Sequence, residues 1–226
     1  NFAIRGAAST GFRAPDLHQI YFNATATLFV GGVPNEVGTF ANNSRLAQLL
    51  SIPGLKEETS NNYSLGFTAK VPSAGLKFTV DGYIVNVDDR VSQTRSYSAS
   101  GQNAEVQQIF SDAAAGQAKF FMNAYSLESS GIDVVIDHKT GVGEGTLNNS
   151  VAASFRKFEV TDVVEVLGQE VLDATAKGFI ESAMPRTKVN LTNNYKVGDW
   201  NFLLRNVYFG EVNDPDFEAA AEPVIY

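Results

Sequence analysis

Two long stretches of this 226-residue chain lack strand alternation and hold the side chains best suited to contact a ligand. The first carries Tyr21, Phe22, Phe29 and Phe40, and the second carries Arg95 and Tyr97. Aromatic faces suit sugars and aromatic chelators alike, because a flat ring buries area at little entropic cost. The alternative is that each set is a small hydrophobic cluster folding its own loop, and both readings stand at this level. Arg13 invites a similar choice between touching substrate and pairing with a carboxylate to fix a loop exit, and the second is preferred. Asp88-Asp89-Arg90 could form a metal or ligand site, but Asp89 and Arg90 read rather as inward-facing or rim charges in a salt-bridge ladder. Asp214, Asp216 and Glu218 are oxygen donors of the kind calcium prefers, yet they lack the ligand spacing and central Gly of a calcium loop. They read as a solvated loop. His18 and His138 have no partner at ligand spacing. No metal or cofactor is expected.

Enzyme signatures are missing: there is no phosphate-binding Gly loop, no Gly-x-Ser-x-Gly elbow and no His-Glu-x-x-His. The net charge of −8 and the lack of any Lys/Arg run argue against nucleic acid as a partner. Cysteine is absent, which removes disulfides, thiolate metal sites and thiol nucleophiles. Hydrophobic residues make up 44% of the chain, but no apolar run approaches the ~20 residues of a membrane helix. A membrane β-strand needs only ~9–11 residues with one apolar face. Sixteen Phe and eight Tyr favour pleated sheet.

The elements that would position these side chains show themselves by alternation. Tyr63, Leu65, Phe67, Ala69 and Val71 are separated by polar residues, and Leu76, Phe78 and Val80 repeat the pattern. Leu147, Val151, Ala153 and Phe155 follow, then Val189, Leu191, Tyr195 and Val197, then Trp200, Phe202, Leu204 and Tyr208. Successive strand side chains point to opposite faces, so each segment has one apolar and one polar face. The pattern predicts seven strands over Phe2–Ala8, Thr59–Lys70, Leu76–Arg90, Lys119–Asp137, Thr146–Phe158, Arg186–Tyr195 and Trp200–Glu211. A bend or bulge is expected near Ser129-Ser130-Gly131. Short helices are expected at 44–50 and 103–110. The stretch from His18 to Phe40, with Gly31-Gly32 as a hinge-like pair, is expected to fold over the mouth of the sheet without strands of its own. Compact turns at Val71–Gly75, His138–Gly145 and Val197–Asp199 alternate with long connections at 13–58, 92–118 and 159–184. The fold class this implies is all-β, an antiparallel up-and-down meander forming part of a transmembrane β-barrel with long extracellular loops. Trp200, Tyr195 and Tyr208 fit interfacial aromatic girdles.

Three segments carry a resemblance. Gly11-Phe12-Arg13-Ala14-Pro15-Asp16-Leu17 resembles the strand-exit motif of the TonB-dependent outer-membrane receptors. Leu55-Lys56-Glu57-Glu58-Thr59-Ser60-Asn61-Asn62-Tyr63 resembles their re-entry motif, with Glu57 where the family usually has Pro. Val80-Asp81-Gly82-Tyr83 and Asp88-Asp89-Arg90-Val91 are similar to the next strand and its ending. Fainter echoes lie at Gly131-Ile132-Asp133 and Pro185-Arg186-Thr187-Lys188-Val189. The resemblance implies a 22-stranded barrel in the bacterial outer membrane, occluded by a plug and energised through the TonB complex. The whole of 1–226 would then be part of the barrel domain, with the plug and the C-terminal strands outside it. The ending Glu222–Tyr226 lacks the alternating final strand of a complete barrel. The implied function is active uptake of a scarce nutrient: a siderophore, haem, cobalamin or an oligosaccharide. The implied partners are that small-molecule or oligosaccharide ligand, outer-membrane lipid, and TonB through parts of the protein not in this chain. The alternative is a structural or adhesive surface protein whose loops bind a glycan or a protein partner. The substrate itself is not legible, because loops vary while the frame stays similar.

Overall fold

The computed structural model describes residues 1–30, 33–213 and 215. Gly31-Gly32, the acidic residues Asp214, Asp216 and Glu218, and the ending Glu222–Tyr226 lie outside the described residues. Seven strands form one antiparallel path: β1 (Phe2–Arg13), β4 (Glu58–Val71), β5 (Leu76–Gln93), β7 (Gln117–Val142), β8 (Gly145–Val163), β11 (Thr187–Val197) and β12 (Trp200–Phe209). Each pairs with the next along the chain in this path, which is the expected meander, and the sheet does not close: β1 and β12 each pair on one side.

Register puts the alternating apolar residues on a single face. Phe67 pairs with Ile4 and Val80, Val80 with Val134, Val134 with Ala153, and Ala153 with Val189. These rows leave Ile4, Leu65, Phe67, Ile132, Leu191, Phe202 and Leu204 exposed. Two amides on the same face satisfy each other, Asn193 Nδ2 donating to Asn149 Oδ1 at 2.7 Å. The opposite face is polar. There Arg5 pairs with Asp81 and donates to Thr68 at 2.8 Å, and Ser150 donates to Asp137 at 2.7 Å.

The tight connections follow from local chemistry. Pro72 starts a single 3₁₀ turn over Pro72–Ala74, and Gly75 closes it at φ 63°, where L side chains are strained. A Cβ at Gly75 would lie 2.0 Å from the Lys139 carbonyl oxygen, so Gly75→Ala is expected to weaken the β5–β7 pairing. The His138–Gly145 turn shrinks to Gly143-Glu144, because β7 runs on to Val142.

The bulge expected at Ser129-Ser130-Gly131 is not there, since Ser129, Ser130 and Gly131 pair in unbroken register with Val85, Ile84 and Tyr83. Gly131 is small for another reason: a Cβ would sit 2.6 Å from the Tyr83 hydroxyl and 2.7 Å from the Phe155 carbonyl. The register shifts instead between Val87 and Arg90, where Asp89 adopts φ 58°, and between Ser126 and Leu127.

The buried core does not lie under the sheet. It sits at one end, where β7 extends past its neighbours, β5 reaching the level of Phe121 and β8 that of Tyr125, and the long connections pack there. Both expected helices form, as α2 (Arg45–Leu49) and α3 (Ala104–Asp112), capped by Ser44 and Asn103. Two more were not anticipated, α1 (Leu17–Tyr21) and α4 (Ala174–Ser182). The stretch 18–40 also departs from expectation, because it contains a hairpin of β2 (Ala24–Val30) and β3 (Val33–Phe40). The end of β3 adds to β7 in parallel, Val37 to Phe40 beside Gln117 to Phe120. Short strands β6 (Tyr97–Ser98), β9 (Glu165–Val166) and β10 (Gln169–Glu170) complete the set.

Candidate functional site

The end of the sheet carrying the core is a folded cap. Its centre is the upper part of β7, where Ala118, Phe120, Met122 and Ala124 are all fully buried. Leu46, Ala47 and Leu50 from the first connection, Val106 and Phe110 from the second, and Val171 and Leu172 from the third pack together on it. Arg45 and Glu105 tie α2 to α3 through two hydrogen bonds of 3.0 and 2.8 Å. The three connections therefore share one core instead of standing as separate flexible loops.

Beneath the cap, the three motif segments converge on the strand ends. Arg13 Nη1 reaches both Glu58 carboxylate oxygens at 3.4 and 3.5 Å, and Asp16 lies 3.9 Å from its other nitrogen. Arg13 thus takes the carboxylate-pairing role preferred for it. Glu58 is buried and also accepts from the Val91 amide at 2.8 Å. Lys56 pairs with Asp89 at 2.8 Å, which places Asp89 among the rim charges. Two buried amides that the sequence did not flag lock the returning chain. Asn123 holds both backbone groups of Lys56 and the Asp89 carbonyl, while Asn42 holds the Pro53 and Phe121 carbonyls and the Leu55 amide. Nothing in composition distinguishes these Asn from surface ones; only their partners do. Glu58→Ala would orphan the Val91 amide beside a buried strand end, and about 1–3 kcal/mol of stability should be lost in urea titration.

The structure divides the six aromatic and cationic candidates. Phe40 and Tyr97 are 8% and 5% exposed and flank Phe120, with ring centroids 6.1 and 6.4 Å from it. They hold the cap together. Tyr21 and Phe29 are 60% and 73% exposed, although both are large apolar side chains on a folded cap. Phe22 is half-buried and lies 4.3 Å from the His18 ring, which meets Phe121 edge-on at 5.7 Å. His18 is thereby an aromatic packing residue. Arg95 is half-buried, its backbone amide donating to the Val171 carbonyl at 2.7 Å. Among the described residues, no hydrogen bond or ring contact joins any of Tyr21, Phe29 and Arg95 to another of the six. Burial raises the Tyr97 hydroxyl above its ordinary pKa, with Arg95 opposing the shift, and that hydroxyl has no hydrogen-bond partner among the described residues. No group of three or more potential metal ligands clusters among the described residues.

An open antiparallel sheet with one apolar face, one polar face, short turns at one end and a folded cap at the other is a segment of a β-barrel wall. The sequence profile described as "TonB dependent receptor-like, beta-barrel" matches residues 1–223, and the chain belongs to that family, one of transport receptors and not of enzymes. No curated protein sequence matches it. Among solved structures it is similar to the ferric enterobactin receptor PfeA of Pseudomonas aeruginosa, with a TM-score of 0.58 and 15% identity, covering 94% of this chain and 26% of that one. PfeA in complex with enterobactin aligns at 16% identity with the same score and coverage. The siderophore receptor PirA of the same organism gives 0.58 at 14% identity, covering 92% and 31%. The chain thus spans about a quarter to a third of the length of these structures.

Proposed function

We propose that this chain is the capped wall of an outer-membrane receptor for active uptake of a scarce nutrient, and that the cap captures the ligand. The observation that carries the proposal is the division within the cap. Its buried aromatics are spent on one shared core, while Tyr21 and Phe29 stay exposed and Phe22 half-buried, with half-buried Arg95 on the second connection as the cationic candidate. Aromatic faces plus a guanidinium suit an anionic, aromatic-rich iron chelate, and the similar structures are a ferric enterobactin receptor, PfeA, and a siderophore receptor, PirA. The apolar face meets outer-membrane lipid, and TonB supplies energy through contacts made by other parts of the protein.

Deleting 31–40 would remove Val37 and Phe40 from the core, so point substitutions are the cleaner test. Tyr21→Ala with Phe29→Ala should weaken binding of a radiolabelled ferric catechol chelate to cells, each well-placed aromatic contributing ~0.5–1.5 kcal/mol beyond area burial. Surface levels of the receptor should be unchanged. Unchanged affinity would sink the assignment, and saturable binding without any uptake would favour an adhesive protein instead. Topology gives a second expectation. An epitope inserted at Ser73, in the short turn, should be reached by antibody only after the outer membrane is permeabilised, and labelling on intact cells would invert the orientation.

A further inference from the structure

The apolar face is not uniformly studded with side chains. A groove of about 1170 Å³ crosses it where β1, β5 and β7 present small residues outward: Gly6 and Ala8, Gly82, and Ser130. Tyr63 and Leu65 lie between these small residues, with Ile84, Ile132 and Phe155 beyond them. Register assigns the groove to the apolar face, since Gly6, Leu65, Gly82, Ile132 and Phe155 form one continuous cross-strand row. The lumenal ion pair of Arg5 and Asp81 takes no part in its lining.

At the corner nearest the cap three cations line the groove, Arg156, Lys157 and Arg186, of which Arg156 belongs by register to the opposite face, paired with Gly131. Lys157 is paired with Glu159 and also feels Glu128, and one Arg186 nitrogen donates to the Glu181 carbonyl at 3.4 Å. Both remain at the surface, where the apolar face gives way to the polar cap.

We propose that this groove seats an anionic membrane lipid, one acyl chain lying between Leu65 and Ile132 over Gly82 and the headgroup phosphate at Lys157 and Arg186. The proposal rests on the reading that the apolar face meets lipid. The occupant follows from continuity with that face: a trough within a hydrocarbon-facing surface is filled by the solvent around it, and a flexible acyl chain fits a channel with small-residue gaps. The cations select among lipids by net charge: the phosphate of a zwitterionic lipid accepts the same hydrogen bonds, but its quaternary ammonium repels Lys157 and Arg186, a penalty an anionic headgroup does not carry.

Gly82 makes the test clean. A Cβ there meets nothing closer than backbone oxygens at 3.9 and 4.0 Å, so Gly82→Leu can fill the groove without forcing the strands apart. The protein would be inserted in phosphatidylglycerol or phosphatidylcholine vesicles carrying a photoactivatable acyl chain. Crosslinks should concentrate on Tyr63, Ile84 and Ile132 over Phe202 and Leu204, more so with phosphatidylglycerol. Gly82→Leu should reduce this enrichment roughly tenfold, the effect of about two displaced methylenes, and Lys157→Gln with Arg186→Gln should remove the headgroup preference. Uniform labelling across the apolar face of inserted protein, or enrichment unchanged in Gly82→Leu, would overturn the groove assignment alone. Failure to insert at all would instead overturn the membrane reading on which it rests.

Discussion

Phe120→Ala is expected to abolish ligand capture while leaving the barrel wall assembled. Phe120 is fully buried at the centre of the cap, between Phe40 from the first connection and Tyr97 from the second. Its backbone is tied to Thr94, the Thr94 amide donating to the Phe120 carbonyl at 2.9 Å and the Phe120 amide donating to Thr94 Oγ1 at 3.2 Å. Truncating a buried Phe costs about 3–5 kcal/mol, through lost transfer energy and the cavity left behind. The loss falls where two connections meet, so both should loosen together. Protease added to intact cells should then cut within residues 14–57 and 94–116 of the variant much faster than in wild type, and chelate binding should vanish. The strand pairings below the rim should survive, seen as unchanged resistance of the wall to heat in detergent. A variant that stays protease-resistant and binds ligand normally would mean that the connections fold independently.

Leu65→Arg is the second large effect. Leu65 is 66% exposed on the apolar face, flanked in register by Gly6 and Gly82. A charged side chain near the bilayer midplane costs about 2–4 kcal/mol, falling to ~0–1 near an interface. Ser64→Arg introduces the same charge on the polar face, beside Ala7 and Tyr83, and should be tolerated. Refolding titrations into lipid vesicles measure the difference. Equal costs at the two positions would count against one face meeting hydrocarbon and the other the lumen.

Much of the wall was legible because its information is local. Tyr63 to Val71 repeats every second residue, and one pleated face is the direct consequence. The turn at Val71–Gly75 was equally readable, since Pro and Gly fix it within five residues. Strand ends were less so: β7 was expected over Lys119–Asp137 and runs over Gln117–Val142, and β8 continues past Phe158 to Val163. Gln117-Ala118 and Glu159–Val163 are held at the cap, whose contacts join positions far apart in sequence, while His138–Val142 pair across the short turn with Gly145–Asn149. The β2–β3 hairpin was hidden for a related reason. Pro34 and Gly38 read as strand breakers, but Pro34 sits near the hairpin's tip, and the parallel pairing of Val37–Phe40 with Gln117–Phe120 spans eighty positions.

The candidate site was half legible. Residue type singled out all six side chains, but type alone could not separate Phe29, left bare, from Phe40, spent on the core. Arg13 and Lys56 were visible through their motifs, and their placement explains why those motifs look as they do. Arg13–Glu58 and Lys56–Asp89 fasten the points where the chain leaves and re-enters the sheet, so these residues shape the frame and not the recognition surface.

One consequence of the shared core concerns how recognition by such a protein is re-engineered. Grafting residues 14–57 alone onto another barrel would deliver Leu46, Leu50 and Phe40 without the β7 extension and α3 that bury them. The transplantable cassette is larger: all three connections together with the upper ends of β7 and β8. Within that cassette, the exposed Tyr21 and Phe29 are the positions at which a library can be diversified without touching the scaffold that presents them.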